Sequence, residues 1–339
     1  MSGLDLSALE RWLADKSPGR DLRVERVDGG QSNPTWFVDW GDAHMVLRRK
    51  PDGPILPGAH AVEREFRVLR ALEGTDVPVP RALWLEEDPG ILGTPFYLME
   101  RLEGRVFSDC TLPGISSGER RAIYLDMART LARLHAVRPD DVGLSDYGRP
   151  GSYFERQIAR WGRQYRESPG GRVPALDRLA DWLPANMPAD DGAVSIAHGD
   201  FRLGNMLFHP TEPRVIGVLD WELSTLGHPL ADLGFCVMPW HTGPDEYGGL
   251  LGTDWRSAGI PARDEFVAEY MSHAIPTAPL DPFHLAFSLF RFAVIFVGIA
   301  DRARAGNAAS EEAATLAPLA KRFASRALDV IAEAPDGST

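Results

Sequence analysis

A histidine, an aspartate and an asparagine stand at the spacing H-x-D-x-x-x-x-N in Ala197-His198-Gly199-Asp200-Phe201-Arg202-Leu203-Gly204-Asn205, and a further aspartate opens Asp220-Trp221-Glu222. Phosphoryl transfer calls for this set: a carboxylate that orients or deprotonates the attacking hydroxyl, and oxygen ligands that hold Mg²⁺ against nucleotide phosphates. On that reading Asp200 is the base, Asn205 and Asp220 are metal ligands, and His198 holds the loop by hydrogen bonds rather than carrying protons. Asp and Asn are also common turn residues, so an isolated H-G-D tripeptide reads equally well as a turn. The ordered set singles it out. A metallohydrolase built on His198, Asp200 and His209 is the competing chemistry, but no H-E-x-x-H or comparable zinc-ligand spacing accompanies it.

These residues need elements to position them. Asn205 to Phe208 and Val215 to Asp220 read as a β pair joined by His209-Pro210-Thr211-Glu212-Pro213-Arg214, a loop of prolines and polar residues. Upstream, Val24 to Val27, Trp36 to Trp40 and His44 to Arg48 are short β-like runs split by turn residues, which predicts an antiparallel meander. Val62, Phe66, Leu69 and Leu72 predict a helix over 61–72, and strands are expected over 81–86 and 95–102.

Met45-Val46-Leu47-Arg48 resembles the three-apolar-then-cation end of the V-A-I-K strand, whose cation pairs with nucleotide phosphates and a helix glutamate. Arg48 is then that cation, an arginine where lysine is usual. Glu65 is its expected partner because its register packs inward, and Glu63 is the fallback. Arginine's fixed fork differs from an ammonium, so Arg48 either binds phosphate or only braces the helix, and Lys50 could share the task. A solvated strand end at Arg48, Arg49 and Lys50 is the bland alternative. Gly29 and Gly30, in Asp28-Gly29-Gly30-Gln31-Ser32-Asn33, could lay backbone N–H groups over phosphates. Met99, Glu100 and Leu102 would form a hinge whose backbone meets the nucleotide base, or are an ordinary strand exit.

Beyond residue 102 strand content falls away outside the central pair. Ile123, Met127, Leu131 and Leu134 predict a long helix over 119–137. The expected organisation is α+β: a small β-rich lobe over 1–102 and a larger, mostly helical lobe over 103–339. The apolar stretch Leu285 to Ala300 contains Arg291 and is expected to be a buried helix rather than a membrane span.

The 339-residue chain carries a net charge of −12, which argues against a nucleic-acid or anionic-membrane partner. With three lysines against 33 arginines, a required cation is usually an arginine. Two cysteines, Cys110 and Cys236, make no disulfide framework, and the first residues read as an ordinary amphipathic helix without a signal-peptide pattern. A cytoplasmic protein is expected.

The chain resembles the aminoglycoside phosphotransferase-like kinases, small-molecule relatives of protein kinases. The resemblance is carried by Val62-Glu63-Arg64-Glu65, Leu131-Ala132-Arg133-Leu134-His135, His198-Gly199-Asp200 with Asn205, Asp220-Trp221-Glu222, and Gly227-His228-Pro229-Leu230-Ala231-Asp232-Leu233-Gly234. It implies a bilobal protein-kinase-like fold, ATP or GTP as donor with Mg²⁺, a small-molecule hydroxyl as acceptor, and Asp232 as a residue that braces the catalytic loop. Longer matches at Arg48-Arg49-Lys50-Pro51, His60 to Val68 and Phe201-Arg202-Leu203-Gly204-Asn205 look like the branch related to the kinase domain attached to some acyl-CoA dehydrogenases. That branch implies hydroxyacyl thioesters such as 4-hydroxyacyl-CoA as acceptors, and the expectation is a stand-alone kinase. An aminoglycoside-modifying enzyme and a non-catalytic pseudokinase are the rival readings. The segment from Cys236 to Gly259, with Trp240, Tyr247 and Trp255, could wall an apolar acyl site or be a packed connection.

Overall fold

The computed structural model describes residues 3–27, 33–53, 60–149, 151–275, 278–304 and 316–333. They form a mixed α+β structure whose chain separates into two compact units, one of residues 1–106, 140–144 and 205–224, the other of residues 107–139, 145–204 and 225–339.

The first unit is built on an antiparallel five-stranded sheet in the order β1-β2-β3-β5-β4, from β1 (Arg23–Arg26), β2 (Thr35–Trp40), β3 (Ala43–Arg49), β4 (Ala82–Glu86) and β5 (Phe96–Glu100). Strand alternation sends successive side chains to opposite faces. Trp36, Val38, Trp40, Met45, Leu47, Phe96 and Leu98 share a core with Leu9, Trp12 and Leu13 of helix α1 (Leu6–Lys16), which recur at i, i+3 and i+4. Val46 and Arg48 therefore take the other face, where helix α2 (Val62–Leu72) lies against β4 and β5. A one-turn helix α3 (Pro89–Leu92) links β4 and β5.

The central pair, β7 (Met206–Phe208) with β8 (Val215–Val218), groups with this sheet rather than with the helices around it in sequence. The backbone explains why. Arg105 and Phe208 exchange N–H···O bonds of 2.7 and 2.8 Å, and Val218 N donates to Pro78 O. The division expected at residue 102 differs from this partition in where 103–106, 140–144 and 205–224 belong.

The second unit contains α4 (Ser117–Ala136), α5 (Tyr153–Arg166), α6 (Pro174–Ala185), α7 (Pro229–Cys236), α8 (Arg263–His273), α9 (Pro282–Arg304) and α10 (Leu319–Ala332). It also holds a pair that the sequence did not announce, β6 (Ser195–Ala197) with β9 (Thr225–Gly227). Three-residue strands are too short to show a period. Helix α9 extends beyond the apolar stretch read from sequence. By length and composition it could cross a membrane, yet 83% of its apolar window is buried in the protein, against α5, α6, α7 and α10.

Candidate active site

In the first unit the sheet face opposite α1 carries a buried charge cluster. Register pairs Arg48 of β3 with Tyr97 of β5, and α2 brings Glu65 over both. Arg48 Nη1 lies 3.1 Å from Glu65 Oε2, and Arg48 Nη2 donates to Asp220 Oδ1 at 3.1 Å. Glu65, 1% exposed, also accepts from Tyr97 Oη at 3.1 Å and from Asn33 Nδ2. One guanidinium fork thus spans the carboxyl groups of Glu65 and Asp220, a geometry that a point-like ammonium does not reproduce. The choice of Glu65 over the half-buried Glu63 agrees with this packing. Arg49, on the opposite face, stacks over Trp36 and pairs with Asp52, while Lys50 follows the strand, its N–H donating to Pro95 O.

Burial works against charge on both partners. For Arg48 it is outweighed by Tyr97, Glu65 and Asp220, which hold the guanidinium's pKa above its ordinary value. For Glu65 burial wins and pushes the carboxyl up to about 7, against the pull of Arg48 and Tyr97. A carboxyl that keeps its proton up to about pH 7 when folded, and near pH 4.5 when unfolded, contributes stability that is complete below pH 4.5 and lost as the pH rises to 7. Urea midpoints of Glu65→Gln are therefore expected to fall less than those of the wild type between pH 5 and pH 7; parallel curves would contradict the shift. Arg48→Lys is expected to leave one buried carboxylate oxygen poorly paired and to lower unfolding free energy by about 1–3 kcal/mol, measured by the same denaturation.

Asp220 sits just past β8 in a left-handed conformation, φ 66° and ψ 60°, and opens the single turn Trp221–Leu223. Its surroundings fix that strained backbone. Leu219 N donates to Asn205 O at 2.9 Å, Trp221 Nε1 bonds Val218 O, and Arg64 of α2 reaches Ser224 O. The hairpin therefore sets Asn205 and Asp220 side by side at its root. Mg²⁺ takes one or two carboxylates together with phosphates and water, so one aspartate and one amide oxygen suit it. No cluster of three or more His, Cys, Asp or Glu side chains able to hold a metal occurs among the described residues, and the zinc metallohydrolase reading gains no support.

In the second unit, β6 ends at Ala197 and the chain turns through Gly199, whose φ of +83° favours glycine. Asp232, on the first turn of α7, accepts from His198 N at 2.6 Å and from Gly199 N at 2.9 Å. His135 of α4 completes the clamp, with Nε2 3.3 Å from Asp232 Oδ2 and Nδ1 2.7 Å from Tyr270 Oη. With Nε2–H donating to the carboxylate, Nδ1 accepts from the tyrosine. Burial pushes the Asp232 carboxyl up, but the hydrogen bonds from His135 and from the Gly199 N–H outweigh it and hold it below the usual range. Arg291 of α9 donates to Gly199 O at 2.6 Å.

This scaffold presents Asp200. Its N–H bonds His198 Nδ1 at 3.2 Å, and its Oδ2 lies 3.3 Å from Arg202 Nε. His198 is fully buried, its ring 5.8 Å from that of Phe201.

The structure brings Arg48, Glu65 and Asp220 together in one unit, with Asn205 beside them, and His198, Asp200 and Asp232 together in the other. Met99 and Glu100 lie in β5 paired with Val46 and Met45, and Leu102 follows it, against Gly217. Gly29 and Gly30 lie outside the described residues. His135, Tyr270 and Arg291 were not singled out as site residues. His135 stood within the Leu131–His135 motif, a signal that named it without giving it a role.

Residues 23–268 match the model of the family described as the phosphotransferase enzyme family (APH). The mouse (Mus musculus) acyl-CoA dehydrogenase family member 10 is 42% identical over 330 residues, 95% of this chain. The chain spans 31% of the length of that relative. The crystal structure of a candidate aminoglycoside phosphotransferase from Ralstonia eutropha superposes with a TM-score of 0.89 at 44% identity, covering 98% of this chain and 100% of that one. At the level of fold, a thermostable aminoglycoside phosphotransferase in ternary complex with AMP-PNP and hygromycin B matches with a TM-score of 0.63 at 15% identity, over 96% of this chain and 100% of that one.

Proposed function

Since the chain belongs to the APH family of phosphotransferase enzymes, we propose that it moves the γ-phosphoryl group of ATP or GTP to a hydroxyl of a small molecule, with Asp200 as the group that receives the acceptor. The observation that carries the reading is the clamp of Asp232 on two successive N–H groups, His198 and Gly199. It fixes the backbone immediately before Asp200, as a residue that must meet a substrate hydroxyl requires.

In the proposed reaction the acceptor oxygen bonds to the γ-phosphorus while the bond to the β,γ-bridging oxygen breaks and ADP or GDP leaves; the hydroxyl proton passes to the Asp200 carboxylate and then to solvent. Asn205 and Asp220 would hold Mg²⁺, which when bound neutralises phosphate charge. Arg48 holds Asp220 and Glu65 in place, the bracing role, rather than serving as a free phosphate cation. Gly29, Gly30, Met99, Glu100 and Leu102 are proposed to line the nucleotide.

As acceptor we propose a hydroxyacyl thioester such as a hydroxyacyl-CoA, supported by the 42% identity to a protein named for acyl-CoA. The test is an ATP/Mg²⁺ transfer assay read by mass spectrometry, with hydroxyacyl-CoA esters, aminoglycosides and sugar alcohols side by side. A gain of one phosphoryl group on a hydroxyacyl-CoA is the expected result. Labelling of an aminoglycoside alone would overturn the acceptor but not the reaction, and nucleotide binding without any transfer would favour a pseudokinase.

A further inference from the structure

Next to the loop that carries Asp200, within the second unit, lies a cavity of about 60 Å³. Tyr124 and Met127 of α4, Phe235 of α7, Phe292 of α9, Phe323 of α10 and Met238 supply large apolar side chains to its wall. Arg202 stands at its edge. The guanidinium lies 5.6 Å from the ring of Tyr247, another lining residue, while Nε faces Asp200 Oδ2, so the same side chain touches both the cavity and the proposed base.

Charge in the cavity speaks about its occupant. The one carboxylate in the wall is Glu246, 6% exposed, and it is held by Arg326 at 2.9 and 3.2 Å and by Gly243 N. A neutralised carboxylate offers nothing to a polycation. Beside the hydroxyls of Ser108 and Thr242, an apolar chain meets aromatic rings, thioethers, thiols and the aliphatic Leu203 and Pro239. Of the three aromatic residues expected to wall such a site, Tyr247 alone lines it. Trp240 packs between Tyr124 and Phe266 with Nε1 on Pro261 O, and Trp255 borders a separate surface hollow.

We infer that this cavity is the acceptor subsite for an unbranched aliphatic arm, and that Arg202 positions Asp200 at its mouth. The inference deepens the phosphotransfer reading and rests on it for the role of Asp200. At a share of about 30 Å³ for each water-sized occupant, the cavity holds roughly two methylene-sized groups, the end of such an arm. The substrate class is thus an amphiphilic alcohol whose hydroxyl stays outside, near Asp200, while a short alkyl arm is buried.

Both cysteines of the chain, Cys110 and Cys236, line the cavity and serve as reporters. Cys236 Sγ donates to Phe201 O, while the half-buried Cys110 is the more accessible. Burial, with the Asp109 charge, pushes the Cys110 thiol up to about 11, so its labelling is slow enough to follow.

The experiment labels the full chain with excess N-ethylmaleimide, without nucleotide, and follows Cys110 by peptide mass spectrometry. Saturating 1-hexanol is expected to slow labelling at least fivefold, glycerol and kanamycin to leave it unchanged, and Phe323→Leu to move the best protector about two carbons longer. As a second handle, Cys110→Phe should fill the cavity and raise KM for six-carbon hydroxyacyl acceptors at least tenfold with little change in kcat. Equal labelling rates with hexanol and glycerol, together with an unchanged chain-length preference in Cys110→Phe, would overturn the subsite. Protection by hexanol with no transfer to any hydroxyl would leave the subsite standing and bring down the phosphotransfer reading; transfer without protection or length dependence would do the reverse.

Discussion

Asp200→Ala is expected to lower the rate of phosphoryl transfer by about 10²- to 10⁴-fold, the range associated with a positioned general base. Its effect on folding is expected to be small. The Asp200 side chain is about one-fifth exposed and pairs with Arg202, whose own side chain is 39% exposed, so losing that pair costs at most about 1 kcal/mol. The loop itself is held by Asp232, which the substitution does not touch. Single-turnover transfer measured beside thermal unfolding separates the two effects. A variant that folds normally, binds nucleotide and still turns over within threefold of the parent would remove Asp200 from the chemistry.

Asp232→Ala is expected to do the opposite, costing stability first and activity as a result. Its two oxygens accept from three donors: His198 N and His135 Nε2 on Oδ2, Gly199 N on Oδ1. Truncation strands these donors in a buried site, and breaking a buried charged network in this way costs about 3–5 kcal/mol. Asparagine is no rescue, since whichever oxygen becomes an amide nitrogen then faces a backbone N–H.

The pH dependence follows from the depressed Asp232 pKa. Its contribution is full above the unfolded value of 3.8 and disappears as the pH falls through the lower folded value. Urea titrations should therefore show the gap between wild type and variant widest near neutral pH and narrowing in acid. A gap under about 1 kcal/mol at pH 7 would mean that the clamp does not hold the loop.

Arg48 and Glu65 were legible in the sequence because each lies in an element long enough to show its period. Strand alternation put Arg48 opposite Met45 and Leu47, and helical spacing turned Glu65 inward with Val68 and Leu69. The H-G-D spacing was legible for a different reason: it is a local chain constraint around Gly199. Contacts between distant residues were not. His135 to Tyr270 and Arg291 to Gly199 join residues 135 and 92 positions apart, and neither leaves a local pattern. The strands β6 and β9 are too short to alternate visibly. The grouping of 205–224 with the first sheet depends on Arg105 pairing with Phe208, a register that no composition shift announces.

The hydrogen bond from Arg291 to the Gly199 carbonyl also sets a schedule for biosynthesis. A ribosome adding about 5–20 residues per second has translated the codons for Asp200, Asn205 and Asp220 several seconds before it reaches Arg291. During that interval the nascent chain holds every residue proposed for chemistry, while the carbonyl next to Asp200 still lacks the cation that pins it. The reactive loop is therefore not fully pinned until α9 enters the core, and pauses in translation between codons 220 and 291 would lengthen the time that it spends unset.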